Sequence, residues 1–237
     1  MTWLDRLARL ANELAGLIYP PKCLICDGPQ TSSRTPLLCE NCLAEMAARP
    51  LPGVITVEAL NSSCGQSVEV VFAGWHYDTA MQHVIHAMKY RRRPSLSKVL
   101  GRLLAQRLQI TLGDKISDAV LVPVPLHRRR ERERGFNQSL LLAKVLAKSW
   151  NIRVWPRFLR RTRFTQSQAT LGAEARWKNV EGAFALSSRV HPGAQRIFLI
   201  DDVFTTGATM NACAYVLKSA GVTSVMGIAL AKAGMDT

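Results

Sequence analysis

Two rhythms of apolar residues run along this chain. Val70–His76, Ala119–Pro125, Ile197–Ile200 and Val222–Ala229 are short, almost unbroken apolar runs rich in β-branched residues. Such runs predict strands covered on both faces. Ile152–Trp155 and Gly182–Leu186 read as shorter strands. Between them the apolar positions recur at helical spacing. Met81, Val84, Ile85 and Met88 share a face within Asp78–Tyr90, and Leu96, Val99, Leu100, Leu103 and Leu104 do so within Leu96–Leu108. A further helix is predicted over Asn137–Trp150, with Asn137 as its N-cap. Strands alternating with helices predict an α/β fold, a mainly parallel sheet joined by right-handed crossovers.

Ahead of this pattern, Leu4, Leu7, Ala11, Leu14 and Ile18 predict an amphipathic helix over 3–18, ended by Pro20-Pro21. Residues 49–68 are rich in Pro, Gly, Ser and Asn and read as a connector. The expected organisation is a helix at 1–18, a cysteine-bearing knuckle at 19–48, a connector at 49–68 and an α/β domain at 69–237.

The most informative stretch is Arg196–Thr209. Its apolar run ends in Asp201 and Asp202, and a loop of small residues follows, Thr205-Thr206-Gly207-Ala208-Thr209. Ligands of parallel sheets bind beyond the carboxyl ends of the strands, where these acids fall. Carboxylates suit ribose hydroxyls, while backbone N–H groups and hydroxyls at a helix start suit a phosphate. Gly207 permits positive φ and close approach of the backbone, and Thr209 is placed to cap the next helix. Met210, Cys213, Ala214 and Leu217 fall on one face of that helix, and Gly221 stops it. The alternative is a well-capped strand–turn–helix with no ligand. The loop has neither the Gly-Lys-Ser/Thr ending of a Walker A loop nor a G-x-G-x-x-G pattern.

Charge extends this picture. Lys plus Arg number 31 against 17 for Asp plus Glu, a net charge of +14 over 237 residues. That excess favours an acidic partner: nucleic acid, a polyphosphate or an anionic membrane surface. Hydrophobic residues make up 48% and charged residues 20%, which excludes a disordered chain. No apolar run has the length of a membrane span, and charges at Asp5, Arg6, Arg9 and Glu13 break any secretory signal. A cytoplasmic protein is expected, with peripheral contact at the inner membrane left open.

Cys23 and Cys26 form one C-x-x-C pair and Cys39 and Cys42 a second. Four thiolates so spaced suit one tetrahedral metal ion, zinc before others, with disulfides as the alternative. Lys22 and Arg34 stand near to offset the charge of such a site, and Cys64 and Cys213 are left over. After Val122-Pro123-Val124-Pro125 comes a cationic loop holding Arg128, Arg129, Arg130, Arg132 and Arg134. Guanidinium groups pair bidentately with phosphate, so the loop suits pyrophosphate or a nucleic-acid backbone. Glu131 and Glu133 temper it, and a solvated charge run is the alternative. Residues 160–184 form a polar excursion that includes Gln168, Leu171, Arg176, Asn179 and Val180 and suits a lid over a reactive sugar, or a plain surface loop. His83 and His86 lie three apart on a helix without a carboxylate partner and read as surface or structural residues.

The pattern around Asp201 and Asp202 resembles the loop of type I phosphoribosyltransferases that binds phosphoribosyl pyrophosphate (PRPP). Taken with Cys23-x-x-Cys26…Cys39-x-x-Cys42, Lys89-Tyr90, Pro123–His127, Arg134–Ser139 and Gln168…Arg176…Asn179-Val180…Ala183-Phe184, the chain resembles the ComF family. That family joins a zinc knuckle to a phosphoribosyltransferase domain and is linked to natural competence and the use of DNA. The resemblance covers residues 18–230. It implies that Asp201 and Asp202 orient ribose, that Thr205, Thr206, Gly207, Ala208 and Thr209 hold the 5′-phosphate, and that Mg²⁺ accompanies PRPP. The arginines at 128–134 would meet pyrophosphate, and Gln168, Arg176 and Asn179 would belong to the lid. Single-stranded DNA and other DNA-uptake proteins are the implied partners, with Tyr90, Phe136, Phe164 or Trp177 available to stack bases. Two readings stay open: a competence protein that binds PRPP and single-stranded DNA, or an active transferase that moves ribose phosphate from PRPP to a nucleobase.

Overall fold

The computed structural model describes Trp3 and residues 22–29, 37–57, 65–90, 93–165, 172–187 and 196–234. The body of the helix expected over 3–18 lies outside the described residues, as do Arg34, Cys64, Gln168 and Leu171. The chain divides into two compact units, Met1–Arg49 and Pro50–Thr237. In the first, a turn bridged by Lys22 and Pro29 precedes helix α1, Glu40–Ala48. The Cys39 sulfur caps that helix by accepting from the Cys42 N–H.

The second unit is built on a six-stranded sheet. Its strands are β1 (Val54–Thr56), β2 (Val70–His76), β3 (Ala119–Pro123), β4 (Arg153–Val154), β7 (Arg196–Phe204) and β8 (Ser224–Lys232), in the order β1-β2-β8-β7-β3-β4. β1 runs antiparallel to β2, and every other neighbouring pair is parallel. A separate two-stranded antiparallel sheet pairs β5 (Leu159–Arg161) with β6 (Phe184–Leu186). The helices are α2 (Thr79–Tyr90), α3 (Ser95–Leu112), α4 (Arg128–Arg134), α5 (Gln138–Trp150), α6 (Ala173–Val180) and α7 (Ala208–Lys218). The fold is thus the mixed α/β arrangement expected, a mostly parallel sheet flanked by helices.

Alternation along the central strands explains why those runs are almost unbroken by polar residues. Ile197 and Leu199 join a buried cluster with Met210, Cys213, Ala214 and Leu217 of α7. The residues between them, Phe198 and Ile200, are equally buried and face the other way. On that side α3 lies against β2 at Gly74 and against α5 at Gly101. Both faces are covered, so the middle of each strand is apolar, as over Ile197–Ile200 of β7.

Three expectations are corrected. The connector at 49–68 contains a strand, β1, in which buried Ile55 alternates with exposed neighbours. Backbone pairing at a sheet edge formed it despite the turn-rich composition around it. The strand expected to end at Ile200 continues to Phe204, because β8 offers backbone partners as far as Lys232. The cationic stretch at 128–134 is a helix rather than a loop, capped by His127 Nδ1 and closed by Gly135 at φ 85°. The polar excursion at 160–184 carries helix α6 between β5 and β6, with Trp177 half-buried against the core.

Asn211 of α7 is fully buried and binds the connector. Its Oδ1 accepts from the N–H groups of Ser67 at 2.7 Å and Val68 at 3.2 Å, and its Nδ2 donates to the Gly65 carbonyl at 2.7 Å. α7 also rests on β8 at Gly227, where an added Cβ would stand 2.6 Å from Met210 Sδ and 2.8 Å from Val71 Cγ2. Gly227→Ala should therefore destabilise the protein by about 1–3 kcal/mol through overpacking, read as a lower urea midpoint at unchanged slope.

Candidate functional site

The site forms where β7 outruns its neighbour. β3 pairs with β7 only as far as Ile200, so the segment from Asp201 onward is paired by β8 alone. The N-terminus of α5 stands beside that open edge. Asn137 is fixed there, its side chain donating to the Val124 carbonyl at 3.1 Å and accepting from the Ser139 N–H at 2.9 Å.

Strand alternation sends the two adjacent acids to different surroundings. Asp202 is buried, ion-paired to the Lys89 ammonium at the end of α2, and accepts from Gln138 Nε2 at 3.3 Å. Gln138 in turn accepts from Arg134 at 2.5 Å. Asp201 Oδ1 accepts from the Ser139 hydroxyl at 3.0 Å and from the Asp202 N–H at 2.9 Å. Burial, reinforced by the neighbouring Asp202, pushes Asp201 up to about 7. Burial acts on Asp202 in the same sense, but Lys89 outweighs it and holds this carboxyl below the usual carboxylate range. Lys89 is likewise opposed by burial and kept above the usual lysine value by Asp202. At neutral pH the cluster is one acid poised to titrate beside one locked ion pair.

The loop at 205–209 follows directly. Gly207 has φ 80° and is itself the N-cap of α7. A Cβ there would lie 2.8 Å from Val57 Cγ1, so both conformation and space require glycine. Thr209, expected to cap the helix, instead lies inside its first turn, and Thr206 Oγ1 accepts from the Ala208 N–H at 3.4 Å. Thr205, Thr206 and Thr209 are half-buried, and Ala208 is buried.

α4 sorts the five arginines. Arg130 donates to the Thr165 carbonyl at 3.0 Å, and Arg134 reaches Gln138 and lies 5.3 Å over the Tyr90 ring. Arg129 pairs with Glu133 at 3.0 Å and, with Arg130, covers the exposed Phe164 ring. Arg128 and Arg132 point to solvent. Arg176 and Asn179 are half-buried on α6. His83 and His86 are exposed on α2, as surface residues should be.

Chemistry alone did not single out Lys89, Gln138 and Ser139. Their only signal was membership of the motifs Lys89-Tyr90 and Arg134–Ser139, which carry no hint of a contact with residues far along the chain.

In the first unit the sulfurs of Cys23, Cys26, Cys39 and Cys42 all lie within 4.8 Å of one another. Four thiolates bonded at about 2.3 Å to a tetrahedral ion would stand about 3.8 Å apart. The Cys26 and Cys39 sulfurs are 3.7 Å apart. The Cys39 N–H points at Cys23 Sγ at 3.4 Å, and the Cys42 N–H at Cys39 Sγ at 3.5 Å. Burial disfavours a Cys23 thiolate, yet backbone donors from Cys39, Cys26 and Ile25 bring it down to about 6. Burial and the neighbouring thiols push Cys42 up. The four residues can hold a metal ion. Cys213 is fully buried in the core cluster and is separate from them.

No family model matches the chain. It is 28% identical over 225 residues to competence protein F of Haemophilus influenzae, covering 90% of this chain and 97% of that one. It is 34% identical over 152 residues to DNA utilization protein YhgH of Escherichia coli K12, covering 63% and 66%. Competence protein ComFC of Bacillus subtilis is 30% identical over 145 residues, covering 61% of this chain and 56% of its own length. Among the described residues no helix is long and apolar enough to cross a membrane.

The acid pair makes a prediction about pH. With its folded value near 7, Asp201 keeps a proton that the unfolded chain releases near pH 4. Its contribution is full below that pH and is lost as pH rises through 7. Asp201→Asn mimics the protonated acid and keeps the acceptor for Ser139. The variant should gain on wild type between pH 5 and 8 in urea unfolding, by on the order of 2–4 kcal/mol. Parallel pH profiles for the two proteins would refute this.

Proposed function

We propose, from the likeness to competence protein F, DNA utilization protein YhgH and competence protein ComFC, that the chain is a ComF-type competence protein that binds PRPP in its α/β unit and handles incoming single-stranded DNA in the cytoplasm. The observation that carries this reading is the continuity of the acid pair, the left-handed Gly207 and the start of α7 along one open strand edge. Asp201 and Asp202 would take the ribose hydroxyls, and Thr205, Thr206, Gly207, Ala208 and Thr209 the 5′-phosphate. Of the arginines at 128–134, Arg130 and Arg134 are directed toward the rest of the site and would meet pyrophosphate. Mg²⁺ bound together with PRPP would supply charge neutralisation to the pyrophosphate. Gln168, Arg176 and Asn179 would close over the sugar and exclude water. Cys23, Cys26, Cys39 and Cys42 would hold zinc, whose tetrahedral thiolate geometry their spacing fits.

This reading is favoured over an active transferase. The relatives' names point to DNA use rather than to a transferase. A PRPP-binding unit then serves as sensor or scaffold.

Titration calorimetry with saturating Mg²⁺ tests the ligand. PRPP should bind wild type, and Asp201→Asn/Asp202→Asn should weaken it by about tenfold or more, the effect of losing charged hydrogen bonds. Absence of PRPP binding to wild type would remove the reading.

The DNA role has a separate test. Affinity for a single-stranded oligonucleotide should fall with salt, at a slope of about −0.7 for each phosphate neutralised. Arg128→Ala/Arg132→Ala, which removes two solvent-facing charges, should make that slope shallower by about 1.4. Flat or absent binding across the salt series would count against DNA handling.

A further inference from the structure

The loop at 205–209 is weakly held from within. Its central residue is a left-handed glycine, and a glycine visits many backbone conformations at little cost. That glycine is also the N-cap of α7 and has no side chain to offer the helix. Inside the loop the Ala208 N–H reaches Thr206 Oγ1 only at 3.4 Å. A phosphate site made of backbone N–H groups binds well only when those groups are already aimed, because ordering them on binding costs affinity. The rigidity has to come from outside the loop.

The connector supplies it. β1 pairs with β2 as far as Thr56 and Val70, which fixes the chain up to residue 56. The next residue, Val57, is buried and packs against Gly207, with Cγ1 2.8 Å from where a Cβ would stand. The Phe204 ring completes the support, 3.2 Å from the same point. One turn further along α7 the Gly207 carbonyl accepts from the Asn211 N–H at 2.8 Å, and the Asn211 side chain binds the backbone at Gly65, Ser67 and Val68. That stretch runs straight into the sheet, since the Glu69 N–H donates to the Val225 carbonyl at 2.9 Å. The first turn of α7 is thus held twice by the connector, once by an apolar contact and once by hydrogen bonds to an enclosed amide.

We propose that Val57 and residues 65–68 are positioning elements of the phosphate loop, and that a phosphate-bearing ligand on the loop in turn locks this part of the connector. They act through Gly207 and Asn211. The inference rests on the reading that the loop at 205–209 binds phosphate, and it adds that loop and connector form one linked element. Such linkage is reciprocal: what the connector contributes to ligand affinity, the ligand returns as stability of the connector.

Hydrogen exchange on the wild-type protein tests the link without any substitution. The Ser67 and Val68 N–H groups, both bonded to Asn211, should exchange more slowly once PRPP and Mg²⁺ are added, by up to about a hundredfold at a ligand concentration of about 100 times Kd. The Ile152 N–H, bonded to the Ala147 carbonyl beside β4 at the other edge of the sheet, should change less. Equal slowing at both places, or none at Ser67 and Val68, would overturn the proposal.

Two substitutions at Val57 separate positioning from stability. Val57→Ala removes the contact with Gly207 and should weaken PRPP binding about fivefold or more. Val57→Thr keeps the branched shape but buries a hydroxyl, so it should melt below wild type and still bind PRPP as wild type does. Affinity that simply follows melting temperature across the two variants would mark Val57 as structural only and remove its positioning role. The exchange measurement decides where Val57→Ala fails to fold. A wild-type protein that binds PRPP while connector exchange and both variants keep wild-type behaviour refutes the link alone. A wild-type protein that binds neither PRPP nor inorganic phosphate refutes the reading beneath it, and the link with it.

Discussion

Two carboxyl groups on adjacent residues of a buried strand cannot both stay charged unless the protein supplies a counter-charge. Here Lys89 supplies it to Asp202 and leaves Asp201 to keep its proton until near neutrality. Much else is arranged to allow this. β7 must run past the end of β3 to give the acids an open edge. α2 must end where its last lysine can turn inward, and α5 must begin where Gln138 and Ser139 can reach the two acids. A shift of any of these ends would leave a buried charge unpaired, which is far more unfavourable than the loss of a surface ion pair.

Legibility in the sequence followed the range over which each feature is decided. β2 was readable residue for residue, because a strand covered on both faces has only apolar side chains to show. β7 was read four residues short, because Asp201 and Asp202 look like the end of a strand, whereas backbone pairing to β8 decides where it stops. The cysteine cluster was readable from local spacing. The helical state of Arg128–Arg134 was not, because a run of charges has no apolar period. Arginine nevertheless suits a helix, and His127 and Gly135 close its ends. Thr209 was the residue type that caps helices, but the left-handed turn at Gly207 takes that place. The Lys89–Asp202 pair lay beyond sequence reasoning, since nothing near either residue announces the other.

The positive charge of the chain is not one undifferentiated field. Arg128 and Arg132 face solvent and contribute a long-range, salt-sensitive attraction. Arg134 is built into the hydrogen-bond chain that runs through Gln138 to Asp202. Arg129 and Arg130 lie over Phe164, which also meets His127 edge-on at 5.2 Å. Net charge therefore favours anions in general, but the orientation of single guanidinium groups decides where one could be held.

Asn211 gives the turn-rich connector a structural weight that its composition hides. The asparagine is fully enclosed, and its side-chain partners are backbone groups of residues 65–68. Cut the chain at residue 69, and an enclosed amide keeps its desolvation penalty but loses all three of these hydrogen bonds, while β2 becomes a bare sheet edge. The smallest autonomous fragment of the α/β unit thus has to begin near residue 50. Recombination or truncation within the connector would expose an aggregation-prone strand before it disturbed any residue of the acid pair.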